Sequence, residues 1–139
     1  MGGYSRNRCR DVALQFLYQA EFAGPHRPEA LERFWHHFQA EGAPPAYFKE
    51  LVAGVASHLE ELDVFIVRYS EHWRLERMTI VDRNLLRLAI YELLYQPQVP
   101  PKVVINEAVE MAKRYGSEGS GGFVNGILDQ VRMSVGREV

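Results

Sequence analysis

Ile80-Val-Asp-Arg-Asn-Leu-Leu-Arg-Leu-Ala-Ile-Tyr-Glu-Leu-Leu-Tyr95 is the stretch that decides the fold. Leu85, Leu86, Leu88, Ala89, Ile90, Tyr91, Leu93 and Leu94 make this segment apolar nearly all round. A helix of that kind sits inside a bundle, because every face needs a partner. Thr79 offers an N-cap for it, and Asp82 stands three residues on as a capping-box partner.

The flanking segments repeat the helical spacing. Four groups of breakers divide the chain: Gly24-Pro25, Gly42 to Pro45, Pro97 to Pro101, and Gly116 to Gly122. From Ser5 to Phe22, residues Cys9, Val12, Ala13, Phe16, Leu17 and Ala20 recur at intervals of three and four, so one face is buried. A second helix starts near Pro28 and carries Leu31, Phe34, Trp35 and Phe38 inward. A third starts near Pro45, and its stripe runs from Leu51 to Tyr69 with a bend expected near Leu62-Asp63. A short helical turn is expected from His72 to Arg77. Pro101 opens the next helix and Gly116 stops it, while Ser120 or Gly121 starts the last. No alternation with a period of two is sustained. The expected fold is all-α, with about seven helices in one domain. Its helical subdomains are expected roughly at 1–70 and 71–139.

The chain has 139 residues and a formal net charge of −2, which rules out a uniformly basic nucleic-acid coat. The charge is uneven. Arg6, Arg8 and Arg10 against Asp11 leave residues 1–18 at +2, residues 28–82 carry −5, and residues 83–139 carry +1. A basic end and an acidic middle suit two different partners, and they also suit an unevenly solvated surface. The single Cys9 excludes an internal disulfide and fits a reducing cytoplasm. No run reaches the ~18–20 apolar residues of a membrane span, and no apolar stretch follows the basic N-terminus as in a secretory signal. A cytoplasmic location with no membrane partner is expected.

Little points to catalysis. The five histidines never take the spacing that puts two metal ligands on one helix face. Arg8 and Arg10 would favour a Cys9 thiolate, but the apolar stripe makes Cys9 a small core residue instead. Glu92 and Glu107 are the nearest candidates for a tuned acid, and both read better as cap or buried-pair carboxylates. No cofactor or metal motif occurs. The Gly116–Gly122 loop lacks the Gly-Lys-Ser/Thr ending of a phosphate loop. It leads into a helix N-terminus, so it is either an anion site or a plain connector. In the first helix Arg6 and Arg10 share a face, with Arg8 near. Tyr18 lies two turns on from Arg10 and could stack a base. Those residues are either a phosphate-binding end or a solvated one.

Five stretches together resemble the NusB family of bacterial transcription antitermination factors. They are Arg6-Asn-Arg-Cys-Arg-Asp-Val-Ala-Leu-Gln-Phe-Leu-Tyr18, Tyr47-Phe-Lys-Glu-Leu-Val-Ala-Gly-Val55, and Asp82 to Leu93. Val104-Ile-Asn-Glu-Ala-Val-Glu-Met-Ala-Lys113 with Gly116, and Phe123-Val-Asn-Gly-Ile-Leu-Asp129, complete the set. Order and spacing hold from about Arg6 to Val131. The resemblance implies an all-α fold, no catalysis, and binding of boxA RNA together with NusE, a small-subunit ribosomal protein. That pair joins the RNA polymerase antitermination complex, notably on ribosomal RNA operons. Carried over by position, the RNA side is Arg6, Arg8, Arg10, Tyr18, Lys113, Ser117, Glu118, Ser120 and Phe123. The NusE side is Glu76, Asp82, Arg83 and Leu86, with Asp82 expected exposed near its helix start. Relatives occur as monomers and dimers, so the resemblance also allows a homodimer. The loop is richer in glycine than the family pattern, and Asn84 stands where the family has a small apolar residue. A related helical domain precedes some RNA cytosine methyltransferases. The end at Val139 leaves no room for a catalytic domain, which favours a free-standing factor. A helical adaptor binding only protein, or an RNA-binding domain without boxA specificity, is the competing reading.

Overall fold

The computed structural model describes residues 5–23, 28–38, 42–71 and 73–137. The breaker expected at Gly24-Pro25 and the first residue of the expected short turn, His72, lie outside them. Seven α-helices and no strand occur among the described residues. They are α1 (Arg6–Ala23), α2 (Pro28–Phe38), α3 (Ala46–Ser57), α4 (Leu59–Tyr69), α5 (Ile80–Tyr95), α6 (Pro101–Tyr115) and α7 (Ser120–Ser134). A 3-10 turn, Leu75–Arg77, precedes α5.

Local chemistry sets the helix ends. Ser5 Oγ accepts the Arg8 backbone N–H at 3.1 Å and caps α1. Thr79 Oγ1 accepts the Asp82 N–H at 3.0 Å and caps α5. Pro101 occupies the first turn of α6, where its missing N–H costs nothing. The long stripe from Leu51 to Tyr69 divides at His58, earlier than the bend expected at Leu62-Asp63. His58 leaves helical geometry at φ −119°. Its ring stacks on Tyr95 of α5 at 4.2 Å, so a tertiary contact places the break.

α5 is the central element and packs against α1, α3, α4, α6 and α7. Leu85, Leu86, Leu88, Ala89, Ile90 and Leu93 are all buried on it, each large side chain contributing roughly 1.5–3 kcal/mol. α3 crosses it closely at Gly54, where a Cβ would lie 2.2 Å from the Tyr91 ring. Phe16, Phe34, Trp35 and Phe48 form an aromatic cluster beneath α2, with Phe16 edge-on to Phe34 at 5.3 Å.

One polar cluster interrupts this core. Arg10 Nε and Nη2 donate to the two Glu92 carboxylate oxygens at 2.8 and 2.9 Å, and Tyr47 Oη donates to the same carboxylate. Both charged residues are buried. Burial works against the Arg10 charge, but the hydrogen bonds and charge of Glu92 outweigh it and raise the guanidinium pKa. Burial and then the bond to Glu92 push the Tyr47 hydroxyl up. Glu92 is thus the buried-pair carboxylate that its apolar surroundings suggested. Arg10→Met is expected to lower stability by about 3–5 kcal/mol, because Glu92 stays buried without its partner. Arg10→Met with Glu92→Leu should lose less than Arg10→Met alone in urea unfolding. A double variant as unstable as the sum of the two singles would contradict the pairing.

Candidate nucleic-acid interface

The exposed side of α1 is a narrow stripe. Arg8, Asp11, Gln15, Tyr18 and Phe22 follow one another at three- and four-residue steps, opposite the buried stripe of Cys9, Val12, Ala13, Phe16 and Leu17. Tyr18 is 44% exposed and Phe22 70%, and their rings lie 5.5 Å apart. Gln15, Gln19 and Ala23 help line an open, mostly apolar depression around them. Phe22 is a member of this surface that the sequence reading missed. Its place four residues after Tyr18 was the available signal.

Arg10 is not part of the surface. Arg6 and Arg10 do share a face, but it is the face pointing inward, one turn ahead of Ala13 and Leu14. Arg10 is therefore consumed by Glu92, and the expectation that it meets phosphate is corrected. Arg6 escapes because it overhangs the first turn. It is exposed, with its guanidinium 5.5 Å from the centre of the Tyr47 ring. Arg8 is also exposed and lies over the Phe38 ring at 5.3 Å. Cys9 is core, its thiol pushed up by burial, with the Phe48 backbone and Arg10 acting the other way.

The last turn of α6 is tied to the same helix by a side-chain bond. Arg114 Nη2 donates to Asp11 Oδ1 at 2.8 Å, which brings the end of α6 alongside the middle of α1. Lys113 is exposed, and its stem lies beside Gly121 at the start of α7. Ser117 and Glu118 are exposed, Phe123 is half-buried, and Ser120 is buried. Ser120 Oγ accepts the Ser117 N–H at 3.0 Å and donates to Asp82 Oδ2 at 3.1 Å. The connector is thus fastened to α5, and the expected ligand role of the Ser120 side chain is corrected to a structural one. Gly116 must be glycine, since a Cβ there would meet Ser120 Oγ at 2.6 Å and the Ala112 carbonyl at 2.7 Å.

The expected partner side changes more. Asp82 is buried under the first turn of α7 rather than exposed, and Leu86 is fully buried. Arg83 donates twice to Glu21, at 3.1 and 2.9 Å. Of the four residues, Glu76 alone is exposed. Glu21 also accepts from Asn84 at 2.9 Å and from Arg87 at 3.2 Å, and Arg87 chelates Asp63 at 2.7 and 3.0 Å. The polar Asn84 is therefore satisfied although buried. Among the described residues no group of three His, Cys, Asp or Glu could hold a metal ion, and no helix is long and apolar enough to cross a membrane.

Residues 7–133 match the profile of the NusB family. The chain belongs to the NusB family. A transcription antitermination protein NusB of Sorangium cellulosum is 47% identical over 133 residues, covering 96% of this chain and 95% of that relative. The solved T. maritima NusB superposes with a TM-score of 0.81 at 41% identity, covering 95% of this chain and 93% of its own. A chain from the crystal structure of antitermination factors NusB and NusE in complex with dsRNA superposes at 0.79 with 30% identity, covering 93% and 96%.

The Glu21 network makes a prediction about acid stability. Hydrogen bonds from Arg83, and then from Asn84, lower the Glu21 carboxyl from near 4.5 to about 2 against the opposing effect of burial. Its stabilising contribution is complete above the unfolded value and is lost as pH falls toward the folded one. The stability gap between wild type and Glu21→Gln, read by urea unfolding, should shrink as pH falls from about 4.5 to about 2. A gap unchanged across that window would show that the carboxylate charge does not matter there.

Proposed function

We propose that this protein is a non-catalytic antitermination factor that binds boxA-type single-stranded RNA together with NusE. The pair then enters the RNA polymerase antitermination complex, notably on ribosomal RNA operons. The observation that carries the RNA half is the stripe Arg8, Asp11, Gln15, Tyr18 and Phe22, joined through Arg114 to the α6–α7 junction. Arg6 and Arg8 supply charge at one end, and aromatic rings stand about 18 Å further along at 1.5 Å per residue. Lys113, Ser117, Glu118 and Phe123 border the middle. Single-stranded RNA is read by this combination of phosphate contacts and stacking. The name shared by the relatives, and the NusE and dsRNA in the similar solved complex, support a factor that pairs with NusE and binds RNA.

For NusE the proposal narrows to the exposed Glu76, whose carboxylate suits a basic ribosomal protein. Asp82, Arg83 and Leu86 serve this face from beneath by holding α5 in place.

Arg6→Gln with Arg8→Gln should reduce the salt slope of RNA binding by about 1.4, at roughly 0.7 per phosphate contact on a single strand. Tyr18→Ala should weaken RNA binding by about 1–3 kcal/mol while stability moves by no more than about 0.5 kcal/mol. An unchanged slope in the folded double variant would favour the adaptor that binds only protein.

A further inference from the structure

Trp73 is the largest side chain left in solvent that neither the core nor the α1 stripe explains. It is 53% exposed, whereas Trp35, the other tryptophan, is buried. Its backbone is nonetheless clamped. The Trp73 N–H donates to the Ser70 carbonyl at 3.2 Å, and the buried Ser70 Oγ donates to the Trp73 carbonyl at 3.1 Å. Glu71 between them takes the left-handed conformation at φ 50°, which turns the chain sharply out of α4. The fixed backbone presents the indole to solvent, where a ligand can reach it.

Its surroundings indicate what. Trp73 stands on the wall between two open depressions. One, of about 370 Å³, is lined by Glu71, Trp73, Arg74 and Arg77. The other, of about 270 Å³, runs from Tyr69 and Trp73 to Gly122, Phe123 and Gly126. The Trp73 ring is edge-on to Phe123 at 6.3 Å. Gly122 and Gly126 share a face of α7, and a Cβ on either would meet nothing within 4 Å, so a bulky chain can approach the helix there. Arg74 and Arg77 are exposed and carry no ion pair among the described residues. Glu71 and Glu76 offset part of that charge, which argues against a bare polyanion sink. It fits a nucleotide whose base stacks on indole, whose exocyclic amine donates to Glu71 and whose phosphates meet the two guanidinium groups.

We propose that Trp73, Arg74 and Arg77 form an additional single-stranded RNA subsite that continues the RNA face past Phe123. This rests on the RNA-binding reading above and goes beyond it by naming where the strand runs next. The subsite engages nucleotides flanking boxA rather than boxA itself, because it lies beyond the α6–α7 junction.

Trp73 emission tests it directly, since Trp35 is shielded in the core. The intact protein with NusE is titrated with boxA RNA carrying single-stranded flanks, and with boxA RNA lacking them. Flanked RNA should quench Trp73 emission, and Trp73→Phe should abolish the change. Trp73→Ala should weaken flanked RNA about ten-fold or more and leave unflanked RNA unaffected. Arg74→Gln with Arg77→Gln should lower the salt slope for flanked RNA by about 1.4. Tight binding of flanked RNA with unchanged Trp73 emission would overturn the subsite and leave the α1 face standing. Quenching by NusE alone, with no response to RNA, would assign the patch to protein and also overturn it. Absence of RNA binding in the wild type would overturn both readings.

Discussion

Between α1 and α5 two opposite charges are buried against each other, Arg10 and Glu92, with the Tyr47 hydroxyl of α3 closing on the same carboxylate. Two charges removed from water cost several kcal/mol each unless their hydrogen bonds are met. This demand fixes the register of α1 and α3 on the central helix at that end, because a shift of one residue would leave a charge unpaired. At the other end of α5 the constraint is repeated in a more exposed form. Glu21 from α1 and Asp63 from α4 converge on Arg83, Asn84 and Arg87. The apolar faces supply the bulk of the stability, and these polar contacts select one arrangement among those that apolar packing would tolerate.

The functional surface follows from that selection. With the register of α1 set, the Arg8-to-Phe22 stripe must face outward, and Arg6 must project past the core over Tyr47. The Arg114–Asp11 bond then ties the last turn of α6 to the stripe. The Ser120–Asp82 bond fastens the α6–α7 junction to α5. The surface proposed to meet RNA is thereby built from three helices, and its exposed residues are not needed for the core.

Much of the fold was legible because its punctuation is local. Pro101, Thr79, Gly116 and the three- and four-residue spacings specify helix ends and faces through chemistry confined to a few residues. What escaped was tertiary. Asp82 reads as an exposed first-turn acid, and nothing near it in sequence shows that α7 lands on it. The break at His58 depends on stacking with Tyr95, more than thirty residues away, so the long stripe gave a bend in the wrong place. Arg10 could have been read correctly. It falls on the same face as Ala13 and Leu17, and Glu92 lies inside a helix apolar on every side, so a buried acid and a buried base were both visible. Arg6, Arg8 and Arg10 alternate at the start of the helix, so all three read as one basic end. Trp73 escaped because it stands between α4 and the 3-10 turn, where no helical period marks an exposed face.

We propose a division of labour among those arginines, with Arg10 holding the fold through Glu92 and Arg6 and Arg8 meeting RNA. Side-chain nitrogen NMR of the arginine Nε–H groups, followed as boxA RNA is added in the presence of NusE, tests it most directly. The Arg10 Nε–H should be protected from solvent exchange in the free protein and keep its position on RNA addition, while the Arg6 and Arg8 signals shift. An Arg10 signal that exchanges freely and moves with RNA, beside unmoved Arg6 and Arg8 signals, would contradict the account.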